Sequence, residues 1–168
     1  MDSAELPPTF FSIAARNLGL LLLRALAGVS MIVHHAWAMV LTGWEYYWHG
    51  SDWILVEAAT AMQLPQPVVF ATLVAITFFL GSIFLILGIL GRITSGALLA
   101  AILLVLYGFL TRELPGAPEL QQFWIEVCIL YAMAYIVHFI MGSGAIALDL
   151  VFARFQRPKR HRSLEDVG

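Results

Sequence analysis

The distribution of charge constrains the fold of this chain more than any motif does. No Asp, Glu, Lys or Arg occurs from Pro67 to Gly91, from Ile93 to Thr111, or from Val127 to Leu148, where His138 is the one basic side chain. A bilayer core of about 30 Å is crossed by about 20 apolar residues of helix, so each of these runs is long enough to span it. A fourth run, Leu18 to Leu41, is interrupted only by Arg24, His34 and His35. Overall the chain is 61% hydrophobic and 12% charged, about half the charge of an ordinary soluble domain. The expected fold is therefore all-α: an integral membrane four-helix bundle with spans at about 18–41, 68–90, 93–111 and 123–148. A short lead-in (1–16) precedes this single domain (17–150), and a basic tail (151–168) follows it.

The flanking charges predict how the bundle sits. Arg16, Arg92, Arg154, Arg157, Lys159, Arg160 and Arg162 flank one side of the spans. Arg112 is alone on the other, among Glu45, Asp52, Glu57, Glu113 and Glu119. The positive-inside rule then places both termini in the cytoplasm, with "RFQRPKRHR" as an anchor on anionic lipid rather than a nucleic-acid site. "ALA" at 25–27 imitates a signal-peptide cleavage site. Arg24 interrupts the short apolar stretch before it, however, and the apolar run continues beyond, so no cleaved leader is expected. The single cysteine, Cys128, builds no disulfide or iron–sulfur cluster. It reads as a small packing residue.

The longest connection, 42–66, carries Trp44, Tyr46, Tyr47, Trp48 and Trp53. Within it "SDWILVEAATAMQ" (51–63) predicts a short interfacial helix capped by Ser51 and ended by Pro65 and Pro67. Gly91-Arg92 joins helices two and three as an antiparallel hairpin, and 111–122 is a polar loop. Gly28, Gly81, Ser82, Gly88, Ser95, Gly96, Ala97, Ala100 and Ala101 are small residues of the kind that lets helices approach closely in lipid. All five tryptophans (Trp37, Trp44, Trp48, Trp53 and Trp124) fall near the predicted outer boundary. They form either an aromatic belt or a lid over a site that opens outward.

Depth follows from a rise of about 1.5 Å per residue. His34 and His35 share the outer third with Glu126, and Tyr131 and Tyr107 lie near them in depth. Arg24, His138 and Asp149 gather toward the inner face. Arg24, Gly28, Met31 and His35 recur at steps of four, three and four, so they share one stripe, and His35 rather than His34 turns into the bundle. Ionisable groups inside a membrane usually face the protein interior and a partner, which suggests a His35–Glu126 pair. His35, Glu126 and Tyr131 are the candidate proton-handling residues. His34, Trp37 and Tyr107 are the candidate ligand contacts. The same pattern is also that of helix–helix hydrogen bonding alone. A haem needs two axial ligands at one depth, whereas the span histidines lie at opposite ends and His49 is in the loop. No metal cluster, phosphate loop or nucleophile elbow is expected.

"RALAGVSMIVHHAW", "LPQPVVFATLVAITFFLGSIFLILGILGR" and the ending "GSGAIALD" resemble the DoxX family of small four-helix bacterial membrane proteins. Arg24 matches the Arg of the first motif. Gly81, Gly88 and Arg92 match the Gly-rich second helix and its turn. Gly142, Gly144 and Asp149 match the closing motif. The resemblance covers about residues 18–149. Where the family often has a Gly and then a Lys late in helix one, this chain has His35 and Ala38. Where it often has a Glu early in helix two, this chain has Phe78. If those family residues carry function, this chain has either lost it or moved it to His35 and Glu126. A DoxX-like polypeptide is part of a thiosulfate:quinone oxidoreductase, and other members are linked to oxidative-stress complexes. The resemblance thus implies a multi-pass protein of the bacterial cytoplasmic membrane, acting as a subunit of a quinone-linked redox complex with a bound quinone. Since the chain carries no evident electron carrier, electrons would come from an oxidoreductase partner. The alternative is a non-enzymatic scaffold or small lipid or solute carrier, which would need a homo-oligomer to make a path.

Overall fold

The computed structural model describes residues 10–111 and 118–142. The elements are α1 (Phe10–Met31), a π-helical turn (Ile32–Ala36), α2 (Trp37–His49), α3 (Ile54–Ala61), α4 (Pro67–Leu87), α5 (Gly91–Thr111) and α6 (Pro118–Met141). Among the described residues there is no strand. Four stretches are long and apolar enough to cross a membrane: Ala15–His49, Pro67–Leu87, Gly91–Thr111 and Leu120–Met141. The protein is a multi-pass helical membrane protein.

The first span is longer than the apolar run implied. It does not stop near Leu41 but continues through the aromatic segment to His49. Nothing between Leu41 and His49 breaks a helix. The stop comes at Gly50, which takes the left-handed conformation (φ 67°) and closes the last turn on the Tyr46 carbonyl. At 1.5 Å per residue, Ala15–His49 is about 52 Å long, well beyond a bilayer core.

The other boundaries have equally local causes. α3 begins at Ile54 with Trp53 as its extended N-cap residue and no side-chain cap. Ser51 does not cap it, because its Oγ is buried without a hydrogen-bond partner. Pro67 opens α4, where a missing N–H costs nothing. The turn between α4 and α5 is Gly88–Leu90, with Gly88 left-handed at φ 70°. Gly91 and Arg92 already belong to α5. α6 stops at Met141, where Gly142 turns left-handed at φ 75° and its N–H meets the His138 carbonyl. Asp149 and the basic tail lie outside the described residues.

Packing runs α6 on α5, α5 on α4, and α4 on α1, with a lighter contact between α1 and α6 closing the bundle and α3 lying on α4. Glycines set the close approaches. A Cβ on Gly28 would come within 3.0 Å of the Ser82 carbonyl, and one on Gly81 within 3.0 Å of Leu98. Gly96 faces Phe139. Ala97 and Ala100, by contrast, face outward. The core is built on Met31, Phe78, Leu85, Leu98, Cys128 and Tyr135. Cys128 is a packing residue.

Candidate functional site

The π-turn contains both histidines. A π-turn bonds i→i+5, carries one residue more than an α-turn, and is frequent at functional sites. Here His34 is exposed and His35 half-buried, as the Arg24–Gly28–Met31 stripe implies. The His35 ring meets Trp124 at 5.5 Å and Tyr131 at 5.7 Å, both edge-to-face. Tyr131 is fixed in turn, its hydroxyl donating to Ser30 Oγ at 2.8 Å. His35 is therefore an imidazole held between two aromatic rings on the closing contact of α1 and α6.

Glu126 does not join this cluster. It is exposed, and it accepts from the Gln122 amide of its own helix at 3.5 Å. The reason is angular: two residues along a helix from Trp124 is about 200° of rotation, so with Trp124 turned to His35 the carboxylate points away. Among the described residues no ion pair joins the two. Trp37 is exposed and lies 6.3 Å from Phe79. Tyr107 is exposed on α5. Neither has a ring contact with His35. At the other end of the bundle Arg24 and His138 are both buried, and His138 Nδ1–H donates to the Ala134 carbonyl of its own helix at 2.8 Å. Trp124 to His138 spans about 21 Å of helix, so His35 and His138 cannot share one ligand atom.

A second feature lies at the α3 end. Gly43, Trp44, Tyr47 and Trp48 of α2, with Trp53 and Thr72, line a surface-open cavity of about 510 Å³. Met39, Val40, Ala75 and Ile76 complete its apolar wall. None of its lining residues carries a charge. Its position depends on one small residue. The Trp53 indole lies against the bare backbone at Gly43, where a Cβ would meet its ring at 2.9 Å. That contact buries Trp53 to 2% exposure and leaves its Nε1–H without an acceptor. On the wall, Tyr47 and Thr72 share a hydrogen bond of 2.8 Å. Met39 stands one turn along the helix from His35, whose ring turns to Trp124 and Tyr131 of α6. The crowding of tryptophans suggested either a belt or a lid, and a surface-open cavity lies at this end. That Tyr47, Gly43 and Thr72 would line it was not legible, because it needs α2 to continue past Leu41.

The DoxX family model matches residues 19–112, which takes in the π-turn and the cavity and ends before α6. No curated protein and no solved structure matches the chain.

Proposed function

The chain belongs to the DoxX family, and from that footing we propose that it is a membrane subunit handling a lipid-soluble quinone for a redox partner. The observation that carries this reading is the cavity. At about 510 Å³ it is in the range of small-molecule sites. Its walls are largely aromatic and apolar, and uncharged. A flat, neutral ring fits such walls, whereas an ionic ligand would meet no countercharge. By the distribution of Arg and Lys, the α3 end faces outward from the bacterial cytoplasmic membrane, and the cavity opens to the outer half of the bilayer.

When bound, a quinone supplies two-electron, two-proton chemistry. The chain's own part is to bind it, to keep water out with Trp44, Trp48 and Trp53, and to hold an exchangeable proton nearby. We assign the last role to His35, which is one turn along the helix from Met39 and held by Trp124 and Tyr131. Electrons come from an oxidoreductase partner, since the sequence holds one cysteine and no dinucleotide fingerprint.

The test is optical. A decyl-substituted benzoquinone is titrated into the protein in lipid nanodiscs while tryptophan emission is followed. A saturable quench is expected in the wild type. It should be lost in Gly43→Leu, whose side chain must displace the Trp53 ring. A quench that only grows linearly with quinone in both proteins reports partition into lipid and refutes a quinone site.

A further inference from the structure

Outside the cavity, a column of polar side chains runs down the bundle core. On α6 the buried residues Cys128, Ala132, Tyr135 and His138 form one stripe at helical spacing. Tyr131 borders that stripe. Its ring lies 5.7 Å from that of His35 and is stacked 6.0 Å from that of Tyr135, and its hydroxyl donates to Ser30 of α1. Two residues from Ser30, about 3 Å nearer the start of α1, Gly28 lies against the Ser82 carbonyl. Ser82 is fully buried on α4, on one stripe with Phe78 and Leu85, which share the core with Tyr135. The column thus descends from His35 through Tyr131 and Ser30, then Ser82 and Tyr135, to His138. It ends three residues, about 4.5 Å, before the last residue of α6.

Groups that served only to join helices would be paired, as buried polar groups normally are. In this column only Tyr131 and Ser30 are. Ser82 Oγ, Tyr135 Oη and His138 Nε2 are each buried without a hydrogen-bond partner. His138 gives its Nδ1 hydrogen to the Ala134 carbonyl, so in the neutral imidazole Nε2 is the basic nitrogen. We propose that this column is a proton route joining the inner face of the membrane to His35. The proposal rests on the reading of His35 as the proton-holding group and adds the side from which its proton is replaced. Ionisable groups within spans are costly, and they mark proton relays. Hydroxyls and imidazoles suit the task because each can accept one hydrogen and release another. Each transfer makes one O–H or N–H bond as the next is broken, and no electron moves. The steps from Tyr131 to Tyr135 and from Tyr135 to His138 are each about one helix turn, close to the reach of a single bridging water. Arg24, buried on α1 near the level of His138, keeps its proton and is not a link. Protons consumed by quinone reduction at the outer side would then be drawn from the cytoplasm, and the reaction would move charge across the membrane.

The experiment is a proton-flux measurement in proteoliposomes. The vesicles contain a trapped pH-sensitive dye and no quinone, and a potassium diffusion potential set with valinomycin drives protons inward. Wild-type vesicles are expected to acidify faster than protein-free ones. Tyr135→Phe should fall to the protein-free rate, since it deletes one link while breaking no hydrogen bond of the fold. Ser82→Ala removes a second unpartnered hydroxyl and should also slow the flux, which keeps the test open should Tyr135→Phe fail to fold. A wild-type rate no faster than that of protein-free vesicles overturns the route. So does a folded Tyr135→Phe that conducts as well as the wild type, because the flux is then a leak past the column. Since these vesicles hold no quinone, the flux and the tryptophan quench fail separately. Flux without the quench keeps the route and removes the quinone it serves, and the quench without flux removes the route alone.

Discussion

Tyr131 and Tyr135 lie one turn apart on α6, yet their hydroxyls are in opposite situations. Tyr131 donates to Ser30 across the α1–α6 contact, whereas Tyr135 is fully buried with its hydroxyl unpartnered. Removing a made hydrogen bond costs about 0.5–1.5 kcal/mol, while removing an unsatisfied buried group relieves its desolvation penalty. Tyr131→Phe should therefore lower thermal stability in detergent, and Tyr135→Phe should leave it unchanged or raise it. A loss for Tyr135→Phe would mean that its hydroxyl has work to do. Glycines allow a similar contrast. Gly28→Val forces a side chain against Ser82 and Ile86 and should cost about 1–3 kcal/mol, whereas Gly19→Ala enters open space and should cost nothing measurable. The inward turn of His35 was legible in the sequence because four residues of one stripe repeat at helical spacing. The His35–Glu126 pairing was not, because matching depth places two residues at one level without saying which way each points. Residues two apart on a helix, such as Trp124 and Glu126, point nearly opposite ways.

Elements show the same division. The apolar runs are visible because lipid demands them, and four spans follow directly. The π-turn is invisible in such a reading, since hydrophobic periodicity measured over a window does not register one extra residue. Because that turn holds a residue more than an α-turn, deleting Val33 from it should let an α-turn form, with α1 and α2 keeping their faces. Deleting Leu22 instead swings the preceding helix by about 100° and takes Leu20 off its buried face. The expected result is a smaller drop in melting temperature for the Val33 deletion, measured side by side. Equal damage from both would mean that the turn is required for folding itself. The length of α2 was also hidden. Aromatic residues near a boundary read as loop or belt, and only the absence of a breaker before Gly50 shows that the helix goes on.

For the whole molecule the unresolved choice in the sequence was between an aromatic belt and a lid. The structure gives Trp44 and Trp48 to an exposed rim and Trp53 to the wall of a cavity. A chain of this composition discloses its spans but not its cavity, because a cavity depends on how α2, α3 and α4 meet. Orientation can be tested independently. A Cys at exposed Glu45 should react with a membrane-impermeant maleimide added outside intact cells, and one at exposed Arg92 only after the inner face is opened. Native Cys128, 3% exposed, should stay silent in both. The reverse pattern would turn the protein over and place the cavity on the cytoplasmic side. The central claim, that this DoxX-family protein holds a quinone in its aromatic cavity, is tested most directly by mass spectrometry of the small molecules extracted from gently purified protein, wild type beside Gly43→Leu. The account predicts a stoichiometric quinone or hydroquinone in the wild type and its loss in the variant. Ordinary phospholipid alone in both would contradict it and favour a scaffold without a redox ligand.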